Sequence, residues 1–166
     1  VSSKSALSRR TPADAAIVAG RKPRIALVEA RFYERISDEL AAGALAVLAR
    51  AGAIVERVSV PGALEIPGAI AILAARRTRP LDGFVALGCV IRGETTHYDI
   101  VAGESSRGLM DLAVHRRLAI GNGILTVENE SQAWSRARRK EMDKGGGAAA
   151  ACLAMVALQR RPQGVR

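Results

Sequence analysis

Phe84-Val85-Ala86-Leu87-Gly88-Cys89-Val90-Ile91 is an apolar run without polar alternation, entered through the turn Asp82-Gly83. A strand with one wet face alternates apolar and polar side chains, whereas one without alternation is covered on both faces, as strands inside parallel sheets are. The flanking segments fit that setting. Upstream, Ile54 to Val60 is rich in β-branched residues and strand-like, and Pro61-Gly62 interrupts it. Ile66 to Arg76 then reads as a helix, with Pro67 in the first turn, where a missing N–H costs nothing. Earlier still, Arg24 to Ala30 has strand length. Ile36, Leu40, Ala44, Val47, Leu48 and Ala51 follow at helical spacing, and Gly52 is placed to end that helix.

Downstream the alternation continues. A polar loop, Arg92 to Thr96, leads to a helix reaching about Arg117, then to a strand from about Leu118 to Val127. Asn129 with Gln132 three residues on resembles a capping box opening another helix, and a last helix spans Gly147 to Arg160. Gly121-Asn122-Gly123 looks locally like a hairpin turn, but strands alternating with helices demand a parallel strand there. The expected fold is therefore α/β: a three-layer αβα sandwich on a central parallel sheet of about four strands, in a flavodoxin-like arrangement. Residues 1 to 22, without sustained periodicity, read as a flexible arm; 23 to 161 form one domain and 162 to 166 a tail.

The composition excludes several classes. A chain of 166 residues, 49% apolar and 25% charged, matches one soluble globular domain. No run reaches the ~18 apolar residues of a membrane span. The first 24 residues lack a compact apolar core before a small-residue cleavage site, so the expected location is the cytoplasm, away from membranes. Cys89 and Cys152, both within apolar stretches, read as buried thiols, and with His97 and His115 the only histidines no metal site is expected. The net charge of +9 sits at the ends. Residues 1 to 24 carry six basic residues and one acid; 136 to 166 carry eight and two; the body between carries eleven and thirteen. Basic ends without interleaved aromatics favour solubility over nucleic-acid binding, so no nucleic acid is expected as a partner.

Ligands of parallel sheets sit beyond the carboxyl ends of the strands. Ile91-Arg-Gly-Glu-Thr-Thr-His-Tyr-Asp99 is the richest such segment. It leaves the buried strand through a glycine and enters a helix whose N-terminus favours an anion, and His97 stands beside it as a candidate for proton transfer or as a structural residue. Phe32 either stacks on a planar ring or packs in the core. Glu65, in Pro61-Gly-Ala-Leu-Glu-Ile-Pro67, either accepts hydrogen bonds from a ligand or caps the helix that follows. By composition alone Arg136, Arg138, Arg139 and Lys140 form a solvated face. Trp134 reads as core or interface, and Glu104 and Arg107 as an ion pair.

In order and spacing these segments resemble the lumazine synthase family. The likeness rests on Ala30-Arg-Phe32, Val60 to Pro67, Ala86 to Asp99, Glu104-Ser-Ser-Arg-Gly-Leu-Met110 and Thr126-Val-Glu-Asn-Glu-Ser-Gln-Ala133, and covers about residues 24 to 160. The resemblance implies a transferase of riboflavin biosynthesis. Such an enzyme condenses 5-amino-6-(D-ribitylamino)uracil with 3,4-dihydroxy-2-butanone 4-phosphate, without a cofactor, to give 6,7-dimethyl-8-ribityllumazine. It further implies that Phe32 stacks on the pyrimidine, that Ala63, Leu64 and Glu65 hold the ribityl chain, and that Cys89, Val90 and Ile91 read the pyrimidine edge through backbone groups. Glu94 and Thr95 match phosphate-binding amides, His97 the proton-transferring histidine, and Arg136 the phosphate-binding arginine. Lys140 and Lys144 are further basic positions. Tyr33 stands where Asn is usual in the family, Leu64 where Phe is frequent, and Asn122 where many members place an aromatic over the substrate ring. The resemblance also implies a homopentamer with active sites between subunits, and riboflavin synthase as a partner. Arg138, where shell-forming members carry glycine, favours a free pentamer over a capsid. The rival reading is a non-catalytic paralogue that binds lumazine or riboflavin.

Overall fold

The computed structural model describes residues 21–161. The tail and all but the last two residues of the expected arm lie outside that range. The chain alternates β1 (Arg24–Ala30), α1 (Glu34–Arg50), β2 (Ile54–Val60), α2 (Glu65–Ala74), β3 (Gly83–Ile91), α3 (His97–His115), β4 (Ile120–Val127), α4 (Glu130–Ala137) and α5 (Lys144–Arg160). The four strands are parallel, in the order β2-β1-β3-β4. The hairpin-like Gly121-Asn122-Gly123 lies inside β4, paired in parallel with Val85 to Leu87.

The side-chain period of two divides the core into two sheets of contacts. Ile25, Leu27, Val85, Leu87 and Cys89 face α1, α4 and α5, meeting Leu40, Leu48, Ala133, Ala137, Leu153 and Val156. Ala26, Val28, Ala30, Phe84, Ala86 and Val90 face α2 and α3, meeting Ile66, Ile70, Leu73 and Leu109. This is the expected three-layer sandwich. Every residue of β3 but Ile91 is buried, which is the physical content of its unbroken apolar sequence.

Two local expectations are refined. Asn129 caps α4 by accepting the Gln132 N–H at 3.0 Å, but the Gln132 side chain accepts from Glu128, one residue before the cap, instead of closing the box on Asn129. The last helix starts at Lys144, three residues earlier than its periodicity indicated, because Asp143 caps it from a left-handed conformation at φ 45° and accepts the Gly146 N–H. The reason is a close approach. A Cβ on Gly145 would fall on the Leu40 carbonyl of α1, and one on Gly121 would fall on the Ala148 carbonyl of α5. Glycines that look like helix breakers are thus the contact points that let α5 lie directly on β4 and α1.

Gly121→Ala is therefore expected to lower stability by about 1–3 kcal/mol, the usual cost of overpacking, or more, since the obstructing atoms are backbone. Gly147→Ala, in α5 with open space around it, is expected to be neutral or stabilising. Thermal unfolding of the two variants checks the contrast. Burial pushes both thiols, Cys89 and Cys152, from 9.0 up to about 12. Raised values favour the neutral thiol, so their contribution to stability is complete below about pH 9 and declines from there towards pH 12. At pH 8 neither is expected to react with iodoacetamide unless denaturant is added, and rapid labelling of the folded chain would contradict their burial.

Candidate active site

All four strands run the same way, so the segments after Ala30, Val60, Ile91 and Val127 leave from one edge of the sheet. The chain moves outward from β1 to β2, then returns to the other side of β1 with β3, so the crevice of a doubly wound sheet opens between the ends of β1 and β3. Register deepens that crevice. β3 pairs with β4 as far as Ile91↔Val127, but with β1 only as far as Glu29↔Leu87. Ala30, the last residue of β1, lies against Gly88, so on its β1 side the backbone from Cys89 to Ile91 has no strand beside it.

Around this opening the fold gathers most of the residues singled out by sequence. Phe32, in the loop after β1, is 73% exposed, its ring edge-on to Tyr33 with centroids 5.0 Å apart. Ala63 is buried under the start of α2; Leu64 is the N-terminal cap residue of that helix and Glu65 its first residue, both exposed. Cys89 and Val90 are buried on opposite faces of the sheet, so what they offer a ligand is backbone. Glu94 and Thr95 are exposed in the loop before α3, and His97 is the first residue of that helix, also exposed. No side chain caps this helix: its cap residue, Thr96, makes no such bond, although Thr95 Oγ1 accepts the His97 N–H at 3.4 Å. The positive end of α3 is thus directed at the opening with little protein to satisfy it.

Two interactions hold these loops. Arg31 donates its backbone N–H to the Val60 carbonyl, and Arg92 donates to the Val127 carbonyl at 2.9 Å. The Arg92 guanidinium lies 4.1 Å from the Tyr98 ring centroid while its Nε donates to Glu128 at 2.8 Å, so one side chain ties the β3–α3 loop to the end of β4. Beneath Phe32 lies a group that sequence reasoning missed. Glu29, 1% exposed, accepts two hydrogen bonds from Arg57 at 2.7 and 2.9 Å and lies 3.7 Å from Arg31, which in turn donates to Asp38 at 2.8 Å. A carboxylate in the otherwise apolar run Ile25 to Ala30 was the available signal. The Tyr33 phenol, raised above its ordinary value first by burial and then by Cys89 and Glu130, stays neutral at physiological pH.

Asn122 is not brought to the same opening, and Arg136 and Lys140 come from the segment after β4. Asn122 is exposed on the outer edge of the sheet, five residues before Val127 and so roughly 16 Å back along β4. Its Oδ1 accepts the Ile124 N–H at 3.0 Å. Arg136 is in the last turn of α4, with Nη1 donating to the Gln132 carbonyl, and Lys140 is exposed in the loop after it. Trp134, on the same helix, lies between the Arg35 and Arg138 guanidinium groups at 5.6 and 5.3 Å and donates to Glu130. Glu104 pairs with Arg107 as expected, and Arg107 also reaches Asp111.

Clefts alone do not locate this site. A cleft of about 580 Å³ is lined by Arg24, Ile54, Glu56, Arg76 and Arg79 at the opposite edge of the sheet, where the strands begin. A smaller one, about 200 Å³, lies behind Phe32 and is lined by Tyr33, Arg35, Glu130 and Trp134. The β1–β3 opening is defined by unpaired backbone and loop chemistry, which indicate a ligand more directly than volume does.

Residues 22–160 match the family model described as 6,7-dimethyl-8-ribityllumazine synthase. A Bartonella tribocorum protein of that name is 60% identical over 141 residues, which cover 85% of this chain and 93% of the relative. Relatives of the same name from Methylobacterium sp. (strain 4-46) and Agrobacterium fabrum are 67% and 57% identical, covering 82% and 84% of the chain and 77% and 97% of their own lengths. Likeness of that extent runs through β1 to α5 without interruption, and the chain belongs to the 6,7-dimethyl-8-ribityllumazine synthase family.

Proposed function

We propose that the chain is a lumazine synthase, condensing 5-amino-6-(D-ribitylamino)uracil with 3,4-dihydroxy-2-butanone 4-phosphate, with release of phosphate and water. The observation that carries this is the β1–β3 opening, where an exposed aromatic ring, unpaired strand backbone and an uncapped helix N-terminus meet. Each suits one part of the reaction. Phe32 offers a face to the pyrimidine, the backbone of Cys89 to Ile91 matches the donors and acceptors on its edge, and Leu64 and Glu65 stand where the ribityl chain extends. The amides at Glu94 and Thr95, with the N-terminus of α3, take the phosphate.

The chemistry needs proximity and proton movement. The 5-amino group adds to the ketone and water leaves as the imine forms; phosphate departs from the four-carbon unit, leaving an enol that tautomerises to a second carbonyl; the ribitylamino nitrogen closes on that carbonyl with loss of water. Holding both reactants in one crevice supplies much of the rate. His97, exposed beside the phosphate-binding segment, moves protons to and from the reacting amine and carbonyl oxygen, while Arg136 stabilises the departing dianion.

Asn122, exposed mid-way along edge strand β4, stands apart from the opening in one chain, which supports a site completed by a neighbour in a homopentamer, to which Arg136 belongs in this reading. Exposed Ile72, Ile100, Met110 and Val114 are apolar surface for such neighbours to cover. Arg138 supports a free pentamer over a sixty-chain shell. It is extended at φ −59°, ψ 129° and committed to Trp134 and to Glu141 at 3.0 Å, which leaves a fixed, bulky charge in the loop. Riboflavin synthase as a partner belongs to the same proposal.

Turnover of the two substrates, followed by lumazine absorbance, tests the reaction; binding of lumazine without turnover would refute it. His97→Ala is expected to lower kcat by roughly 10²- to 10⁴-fold with pyrimidine binding nearly intact. Arg136→Ala is expected to raise KM for the butanone phosphate roughly ten- to a hundred-fold, the worth of a charge-assisted contact. A change confined to pyrimidine affinity would place the phosphate elsewhere. Sedimentation at moderate salt is expected to give a particle of about five 17.5 kDa chains; sixty chains would overturn the reading of Arg138, and a stable monomer the shared site.

A further inference from the structure

Phe32 is exposed, yet the residues on either side of it are fixed. Arg31 is held by its N–H on Val60 and by its side chain between Asp38 and Glu29. Tyr33 accepts the Ser37 N–H on its carbonyl at 2.9 Å, and its ring is half-buried against the core of the α1 face. The Phe32 ring meets the Tyr33 ring at an interplanar angle of 74°, the edge-to-face geometry in which positive ring edge meets negative ring face. A solvent-exposed phenyl group without such a neighbour samples several rotamers and must give up that freedom to stack on a ligand.

We infer that Tyr33 is a positioning residue, whose anchored ring holds Phe32 in one orientation so that the Phe32 face is ready for the pyrimidine. This rests on the proposed role of Phe32. It makes affinity for the planar substrate depend on an aromatic pair and not on one exposed side chain. The phenol hydroxyl is not needed for this, because the contact is made by the ring.

Steady-state kinetics of lumazine formation, varying 5-amino-6-(D-ribitylamino)uracil, test it with the full chain and with Phe32→Leu, Tyr33→Phe, Tyr33→Leu, Tyr33→Met and Phe32→Leu/Tyr33→Leu. Tyr33→Leu and Tyr33→Met are each expected to raise KM for the pyrimidine roughly three- to ten-fold with kcat little changed, the range that one aromatic contact is worth. Tyr33→Phe is expected to behave as the parent. The double variant is expected to be no worse than Phe32→Leu alone, because Tyr33 acts through Phe32. Two replacements of similar bulk keep the test open if one of them folds poorly, and the single tryptophan, Trp134, shares a cleft with Tyr33 and reports local integrity by its emission. A parental KM in Phe32→Leu would remove the Phe32 platform and the inference with it. A raised KM in Phe32→Leu beside a parental KM in both Tyr33→Leu and Tyr33→Met would overturn the inference alone, as would effects that multiply in the double variant.

Discussion

The length difference between β1 and β3 is the constraint from which the site follows. A strand buried on both faces must satisfy its backbone with strands on both sides, and β3 does so until Leu87. Beyond that point β4 continues beside it and β1 ends one residue on, at Ala30. Cys89, Val90 and Ile91, past the end of β1 at Ala30, are left without a strand on one side, held straight by β4 and by core side chains above and below. A loop could present the same groups, but not in a geometry fixed before a ligand arrives. This preorganisation is what a reaction governed by proximity needs.

The end of β1 is held down by charge. Glu29 occupies a position where every neighbour in the strand is apolar, and removing its charge from water is costly unless hydrogen bonds restore what solvation gave. Arg57 supplies two of them from β2, and Arg31 and Asp38 extend the set to α1. The result links β1, β2 and α1 at the point where the chain turns toward Phe32. Arg92 does similar work on the other side, through Tyr98 and Glu128. Both loops that flank the opening are therefore braced by an arginine, from beneath in one case and from its rim in the other.

α5 shows how close packing shapes the remaining layer. Gly145 and Gly121 mark its contacts with α1 and β4, each at a place where any side chain would strike backbone. α4 packs beside α5 on the same face of the sheet, with Ala133 and Ala137 in the core shared with α1 and β3, and Arg136 stands in its last turn with Lys140 just beyond. Asn122, fixed opposite Ala86 in the middle of β4, is the candidate that the opening of its own chain does not reach, and in the proposed site it serves a second copy.

Much of this was legible in the sequence. The period of each segment depends on local burial, so Arg24 to Ala30, Ile54 to Val60 and Phe84 to Ile91 announced their strands, and the alternation of strand and helix fixed a parallel sheet and the edge at which ligands bind. The candidate residues followed from that edge and from likeness to a family. Sequence could not reveal where β1 stops pairing with β3, since register depends on both strands at once. Nor could it show that Glu29 meets Arg57, 28 residues away, or that Tyr33 turns its ring on Phe32, because such contacts depend on how elements pack and not on their spacing. The sequence reading began the last helix at Gly147, yet the tertiary structure starts it at Lys144, where the absence of a side chain at Gly145 lets α5 approach Leu40 so nearly. Periodicity is a property of one segment and its burial, and sequence therefore determined the elements and their order; distances between segments depend on packing across the whole chain, and these only the folded structure decided.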